Sequence, residues 1–216
     1  MIVSVIICTL NRAAPLKETL TAFNSVTIPD GMKAELIVVD NGSADETLEV
    51  VKSTGLPGFE SVKYMFEKTP GQTAARNTGL RASGGNVIVF TDDDVRPTVN
   101  WLQAITEPII ANRFDALAGR VKIAPALLRP WMTGRHKAWL ASTEYLDSSA
   151  PMTAVGANMA FSRRILERIP SFDEDLGPGR LGFWDDTLFF SQLRQAGYRV
   201  GMAADATVEH HFDISR

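Results

Sequence analysis

The chain has 216 residues, with 22 Lys+Arg against 25 Asp+Glu and a formal net charge of -3. That length suits one large α/β domain, and 45% hydrophobic with 22% charged residues excludes disorder, collagen and a coiled coil. The mild acidity argues against a protein that holds nucleic acid by bulk charge.

The first half alternates strand and helix signals. Residues 2–8 are β-rich, and Cys8, the one cysteine, excludes an internal disulfide and reads as a small core residue. This run leads straight into Thr9-Leu10-Asn11-Arg12 without a basic leader, so it reads as a strand and not a signal peptide. Pro15 suits a first helical turn, and Leu16, Leu20 and Phe23 follow at helical spacing, which predicts a helix over 15–26. Leu36–Val39 is a short apolar strand ending at Asp40. Ser43 and Glu46 match a capping box that predicts a helix over 44–53. A strand at 62–66, a helix at 72–82 and a strand at 87–90 follow. The last runs into Asp92-Asp93-Asp94.

Beyond residue 97 the pattern loosens. A helix near 98–112, a strand near 115–123, a strand at 155–161, a short helix at 163–168 and a helix at 186–196 closed by Gly197 are expected. Residues 125–152, with three prolines and with Trp131 and Trp139 among basic residues, read as a loop with a short helix. No apolar stretch approaches the roughly 18 residues that span a bilayer. The expected location is therefore cytoplasmic, at most peripheral to the inner face of the membrane.

Strands without polar alternation are buried on both faces, as in a parallel sheet covered by helices. The fold class is therefore α/β: one doubly wound, mostly parallel central sheet with helices on both faces. Ligands in such sheets bind beyond the carboxyl ends of the strands. Asn11-Arg12, Asp40–Ser43 and Asp92–Asp94 all fall there.

Each cluster has a bland alternative. The aspartate triple offers oxygen ligands to Mg²⁺ or Mn²⁺, or is a solvated acidic turn. Gly71 opens a helix whose N-terminus attracts anions, with Arg76 one turn in; Arg76 reaches a phosphate or an aspartate, or lies on the surface. Asp40 binds a base or ribose, or makes the turn before Gly42. The pair Asp185-Asp186 raises one pKa to produce a base, or caps a helix. His210 is a metal ligand, though a histidine so near the end is more often exposed or packed. Gly177-Pro178-Gly179-Arg180-Leu181-Gly182 matches a dinucleotide fingerprint by letter only, since no strand precedes it.

Taken together, these motifs resemble family 2 of the glycosyltransferases, with the GT-A fold. The likeness rests on Val3 through Arg12, Val38-Val39-Asp40-Asn41-Gly42-Ser43, Gly71 through Gly79, Phe90-Thr91-Asp92-Asp93-Asp94 and Trp184-Asp185-Asp186-Thr187, in order over nearly the whole chain. The resemblance implies an inverting transfer from a nucleotide-diphospho sugar, most often a uridine one, to a hydroxyl of a glycan or lipid-linked saccharide. It implies a single domain over 1–216, with residues 1–97 as the nucleotide-sugar half and 98–216 as the acceptor half. Thr9, Asn11, Arg12, Asp40, Gly42, Gly71, Arg76, Asp92 and Asp93 would surround the donor. Asp94, Asp92 and His210 would hold Mn²⁺ or Mg²⁺, and Asp186 would be the base. Asp185 stands where the family usually has Glu, so either of the pair can be the acting one. A sugar nucleotidylyltransferase and a non-catalytic module of the same fold are the rival readings.

Overall fold

The computed structural model describes residues 1–144 and 155–212. Its first half alternates β1 (Ile2–Thr9), α1 (Ala13–Phe23), β2 (Lys33–Asp40), α2 (Thr47–Ser53), β3 (Ser61–Phe66), α3 (Gln72–Ala82) and β4 (Val87–Thr91). The second half adds β5 (Val95–Pro97), α4 (Trp101–Ile110), β6 (Ala116–Ile123), α5 (Gly134–Trp139), β7 (Asn158–Ser162), α6 (Asp185–Gln195) and β8 (Val200–His210). The strands form one sheet in the order β3-β2-β1-β4-β7-β6-β8-β5. The first four are mutually parallel, β8 is parallel to β6, and β7 and β5 run antiparallel to their neighbours. The expected single, mostly parallel α/β sheet is what the chain forms.

Alternation along the strands explains the two layers. Val3, Val5 and Ile7 of β1 pack with Leu16 and Leu20 of α1, Val51 of α2 and Trp101 of α4. Ile6 and, on β2, Ile37 and Val39 face the other way, toward Ala75 of α3 and Phe189, Phe190 and Leu193 of α6. Because β1, β2 and β4 are parallel, their carboxyl ends share one edge, and the polar segments after Thr9, Asp40 and Thr91 converge there.

One local expectation fails for an identifiable reason, and one strand was not foreseen. Ser43 does not cap a helix at 44. Its hydroxyl accepts the Asn11 N–H (2.8 Å), and α2 starts only at Thr47, with the Asp45 carboxylate taking the Thr47 and Ala13 amides. Strand β8 is not among the expected elements, because Ala204 and Asp205, exposed in its middle, interrupt any apolar run. Asn158 secures it. Its Nδ2 donates to the carbonyls of Arg120 (2.9 Å) and Ala206 (2.8 Å), and its Oδ1 accepts Trp101 Nε1 (2.9 Å). This bridge sits at the register shift between Gly119 and Arg120, where a Cβ on Gly119 would meet the Asn158 amide at 2.2 Å. The part of the 125–152 loop beyond residue 144 lies outside the described residues.

Candidate active site

Two cavities open on the carboxyl edge of the sheet. The first, of about 390 Å³, is lined by Cys8, Thr9, Arg12, Asn41, Gly71 and the aspartate triple, among others. The second, of about 790 Å³, is lined by Arg76, Trp139, Gly156, Phe183, Trp184 and the Asp185-Asp186 pair, among others. Asp92, Gln72 and Pro178 line both. Asp92 therefore stands at the junction.

The three aspartates do different things. Asp93 is tied inward, accepting Thr9 Oγ1 (2.6 Å) and Arg12 Nε (2.8 Å). Its backbone carbonyl takes the Thr19 hydroxyl (2.7 Å) from α1. Burial pushes the Asp93 carboxyl up to about 7, against the pull of Arg12 and Thr9. Asp92 and Asp94 instead converge with His210, with one ligand atom from each lying within 4.8 Å of the others. Antiparallel pairing of β5 with β8 sets Val95 opposite His210, which delivers the histidine. His210 Nδ1 hydrogen-bonds the Leu140 carbonyl (2.9 Å), so Nε2, 3.1 Å from Asp94, faces the carboxylates. A hydrogen bond from the far ring nitrogen to a backbone carbonyl is how metal-ligating imidazoles are oriented. Two carboxylates and an imidazole fit a hard or borderline divalent cation such as Mg²⁺ or Mn²⁺.

Electrostatics bind this cluster together. Burial opposes charging His210, but the hydrogen bond and charge of Asp94, with Asp92 behind, outweigh it and lift the imidazole to about 9. Asp92 moves upward through desolvation and its neighbour Asp94. Asp94 moves downward despite burial, because His210 and Arg12 favour its anion. His211 turns away to Glu209 (3.1 Å).

Arg76 is not a surface residue. It is 4% exposed and pairs with Asp185, itself 5% exposed. Burial, with Asp186 alongside, raises the Asp185 carboxyl even though Arg76 opposes this. Asp186 projects into the larger cavity. Its Oδ2 accepts the Gly156 N–H (2.7 Å), and its Oδ1 accepts the Thr187 N–H (2.6 Å). Neither carboxylate caps the helix, whose N-cap position is Trp184 with no side-chain cap hydrogen bond; within the first turn Asp186 accepts only the amide of the next residue. Asp185 makes the ion pair.

Asp40 does not line either cavity. Its Oδ1 takes the Gly42 and Ser43 amides (3.1 and 2.8 Å) and its Oδ2 the Tyr64 hydroxyl (2.7 Å), so the carboxylate builds the turn. Gly42 serves that turn with φ of 93°. Asn11 Oδ1 likewise accepts the Ala44 amide (2.7 Å), joining the two strand-end loops. Gly71, at φ of 126°, donates its N–H to Asn41 Oδ1 (2.8 Å), and Asn41 Nδ2 binds the carbonyls of Glu67 and Thr69.

Several lining residues escaped the sequence reading. Cys8 packs against the core as expected and also contributes to the first cavity, where burial pushes its thiol up to about 12. The rejected glycine run is no dinucleotide loop, yet Pro178 and Gly179 wall the first cavity, and the Pro178 carbonyl accepts the Gln72 amide (3.0 Å). Gly156 carried no signal at all. A Cβ there would come within 2.0 Å of an Arg76 guanidinium nitrogen. Gly156→Ala should therefore cost about 1–3 kcal/mol through overpacking and displace the amide that holds Asp186. A chemical melt in which the variant matches the parent would refute that packing account.

This architecture is the GT-A fold of glycosyltransferases. The chain belongs to glycosyl transferase family 2, whose model matches residues 4–170. The glycosyltransferase AglE of Haloferax volcanii is 36% identical over 121 residues, 56% of this chain and 39% of that protein. YwdF of Bacillus subtilis, described as an uncharacterized glycosyltransferase, is 25% identical over 98% of this chain and 75% of its own length. The mannosyltransferase PcManGT of Pyrobaculum calidifontis, solved with GDP-Man and Mn²⁺, superposes with a TM-score of 0.74 at 24% identity, over 98% of this chain and 57% of that one. S. aureus TarS 1–349 with UDP gives 0.70 at 21% identity, over 96% and 59%. The chain thus spans about two fifths of AglE and under three fifths of either solved neighbour.

Proposed function

We propose that this chain transfers a glycosyl group from a nucleotide-diphospho sugar to an acceptor hydroxyl by single displacement with inversion. The observation that carries the reading is Asp92 at the junction of two cavities, one flanked by the Asp92-Asp94-His210 cluster and the other by Asp186. Residues 1–97 supply most of the donor cavity and residues 98–216 most of the acceptor cavity. A divalent ion bound by Asp92, Asp94 and His210 would neutralise negative charge on the departing diphosphate. Thr9 and Arg12 hold Asp93 and so keep the loop after β4 in place. Asp186 accepts the proton of the incoming hydroxyl, its carboxylate aimed by the Gly156 and Thr187 amides. Arg76 keeps Asp185 buried beside it. Positioning of this kind contributes much of the acceleration in bimolecular transfers.

A uridine nucleotide is the expected donor leaving group, on the resemblance at Asp40. The two solved neighbours carry GDP-Man and UDP respectively, so both belong in the test. In a thermal-shift screen with Mn²⁺, UDP should stabilise the chain more than GDP or dTDP, since a ligand bound only to the native state raises stability by mass action. A larger shift with GDP overturns the uridine assignment. Release of free sugar from the cognate donor, dependent on Mn²⁺ or Mg²⁺ and needing no acceptor, tests the transfer reading itself. No metal-dependent turnover of any nucleotide sugar would leave the chain a non-catalytic module.

A further inference from the structure

Large apolar side chains are exposed on both lips of the acceptor cavity. On one lip Trp131 is 64% exposed and Trp139 78%, with the His136 ring wedged edge-on between them at 5.3 and 6.2 Å. On the other, Phe183 and Trp184 are exposed, and Leu181 beside them reaches 80%. Trp139, Phe183 and Trp184 line the cavity, but Leu128, Trp131 and Leu181 do not. A soluble acceptor in the cavity accounts for the first three only. The other three are exposed outside the cavity.

The segment that carries Leu128, Trp131 and Trp139 is also basic, with Arg120 and Lys122 on β6 just before it. Between Asp115 and Glu144 the sequence has Arg120, Lys122, Arg129, Arg135 and Lys137 and no acidic residue, in a chain of net charge -3. None of these five forms an ion pair with a described carboxylate. Arg129 and Arg135 are exposed on either side of Trp131 in the sequence, and among the described residues the Arg129 guanidinium donates to the carbonyls of Ala126 and Leu128. Indole rings settle at the boundary between hydrocarbon and water. Basic side chains nearby are attracted to anionic headgroups. Exposed Trp and Leu on an acid-free basic segment have the chemistry of an interfacial membrane contact.

We infer that residues 128–139, with Leu181 across the cavity mouth, dock this chain on an anionic membrane surface. The acceptor cavity then faces the lipid headgroups. Among the described residues no helix is long and apolar enough to cross a membrane, so the contact is peripheral at this surface. The docking inference goes beyond the transfer reading and does not depend on it.

Sedimentation of the 216-residue chain with large vesicles tests it. Vesicles of phosphatidylcholine mixed with phosphatidylglycerol should pull the chain down at low salt, and phosphatidylcholine alone should do so weakly. High salt should release it, and tryptophan emission should shift to the blue on binding. Arg129→Glu with Arg135→Glu should weaken binding by at least about tenfold, given the usual contribution of each basic residue at such a surface. Leu128→Ser with Trp131→Ser should weaken it comparably and abolish most of the blue shift. Because all four side chains are exposed, far-ultraviolet dichroism and the metal-dependent thermal shift with nucleotide should match the parent in both variants. Failure to bind anionic vesicles, binding unchanged in both variants, or capture by a soluble polyanion such as dextran sulfate but not by vesicles would each overturn the inference. Vesicle binding without nucleotide-sugar turnover sinks the transfer reading instead.

Discussion

Asp186→Asn should retain donor binding and lose transfer, by about 10²–10⁴-fold, the usual contribution of a general base. That corresponds to roughly 3–5 kcal/mol of barrier. Asn keeps the shape of the side chain but takes no proton at neutral pH. It also brings an amide N–H toward one of the two backbone donors, Gly156 and Thr187, that now hold the carboxylate oxygens. One of those hydrogen bonds is lost, so a modest drop in thermal stability should accompany the rate effect. Donor affinity is set in the other cavity and should change little. The companion variant behaves differently. Asp185→Asn leaves the Arg76 guanidinium buried without its carboxylate, and breaking a buried pair costs about 3–5 kcal/mol. Asp185→Asn should thus lower the melting temperature far more than Asp186→Asn does. Single-turnover assays with donor in excess, alongside chemical melts, separate the two. A stable but dead Asp185→Asn, next to an active Asp186→Asn, reverses the roles. Full activity in both makes the pair structural.

Asp94→Ala should abolish the metal-dependent part of nucleotide binding. The variant removes one of three converging ligands and also a partner of both Arg12 and His210. Calorimetry with UDP in the presence and absence of Mn²⁺ reads the result. The parent should gain affinity on adding Mn²⁺, and the variant should show no gain. An unchanged gain excludes Asp94 as a ligand. Binding of UDP without Mn²⁺ serves as the internal control for folding, because the Arg12–Asp93 contact remains to hold the loop.

Within the site, legibility tracked sequence distance. Asp92–Asp94 were conspicuous because three carboxylates follow a fully apolar strand, and Asp185-Asp186 because they open an amphipathic helix. What each member does was not legible. Asp93 faces inward to Thr9 and Arg12, whereas its two neighbours converge on a histidine more than a hundred residues away. Gly156 was invisible, since its meaning lies in the space that Arg76 fills. Of the two readings of Asp40, the turn is the one visible in the structure, where its carboxylate accepts two turn amides and the Tyr64 hydroxyl; as a sequence it looks like any strand-end aspartate.

By itself the sequence determined the α/β class, the alternation through β4 and the edge on which polar residues gather. Those follow from local periodicity and from the fixed hand of strand-helix-strand connections. Tertiary structure alone decided that β8 returns beside β6 and carries His210 to Asp92 and Asp94, and that Arg76 meets Asp185 across 109 positions. Both depend on pairings between distant segments, namely the Asn158 bridge that secures β8 and the packing of α3 against the α6 terminus. A strand's partner is chosen by which edge is open and which side chains fit. No window of consecutive residues contains that information.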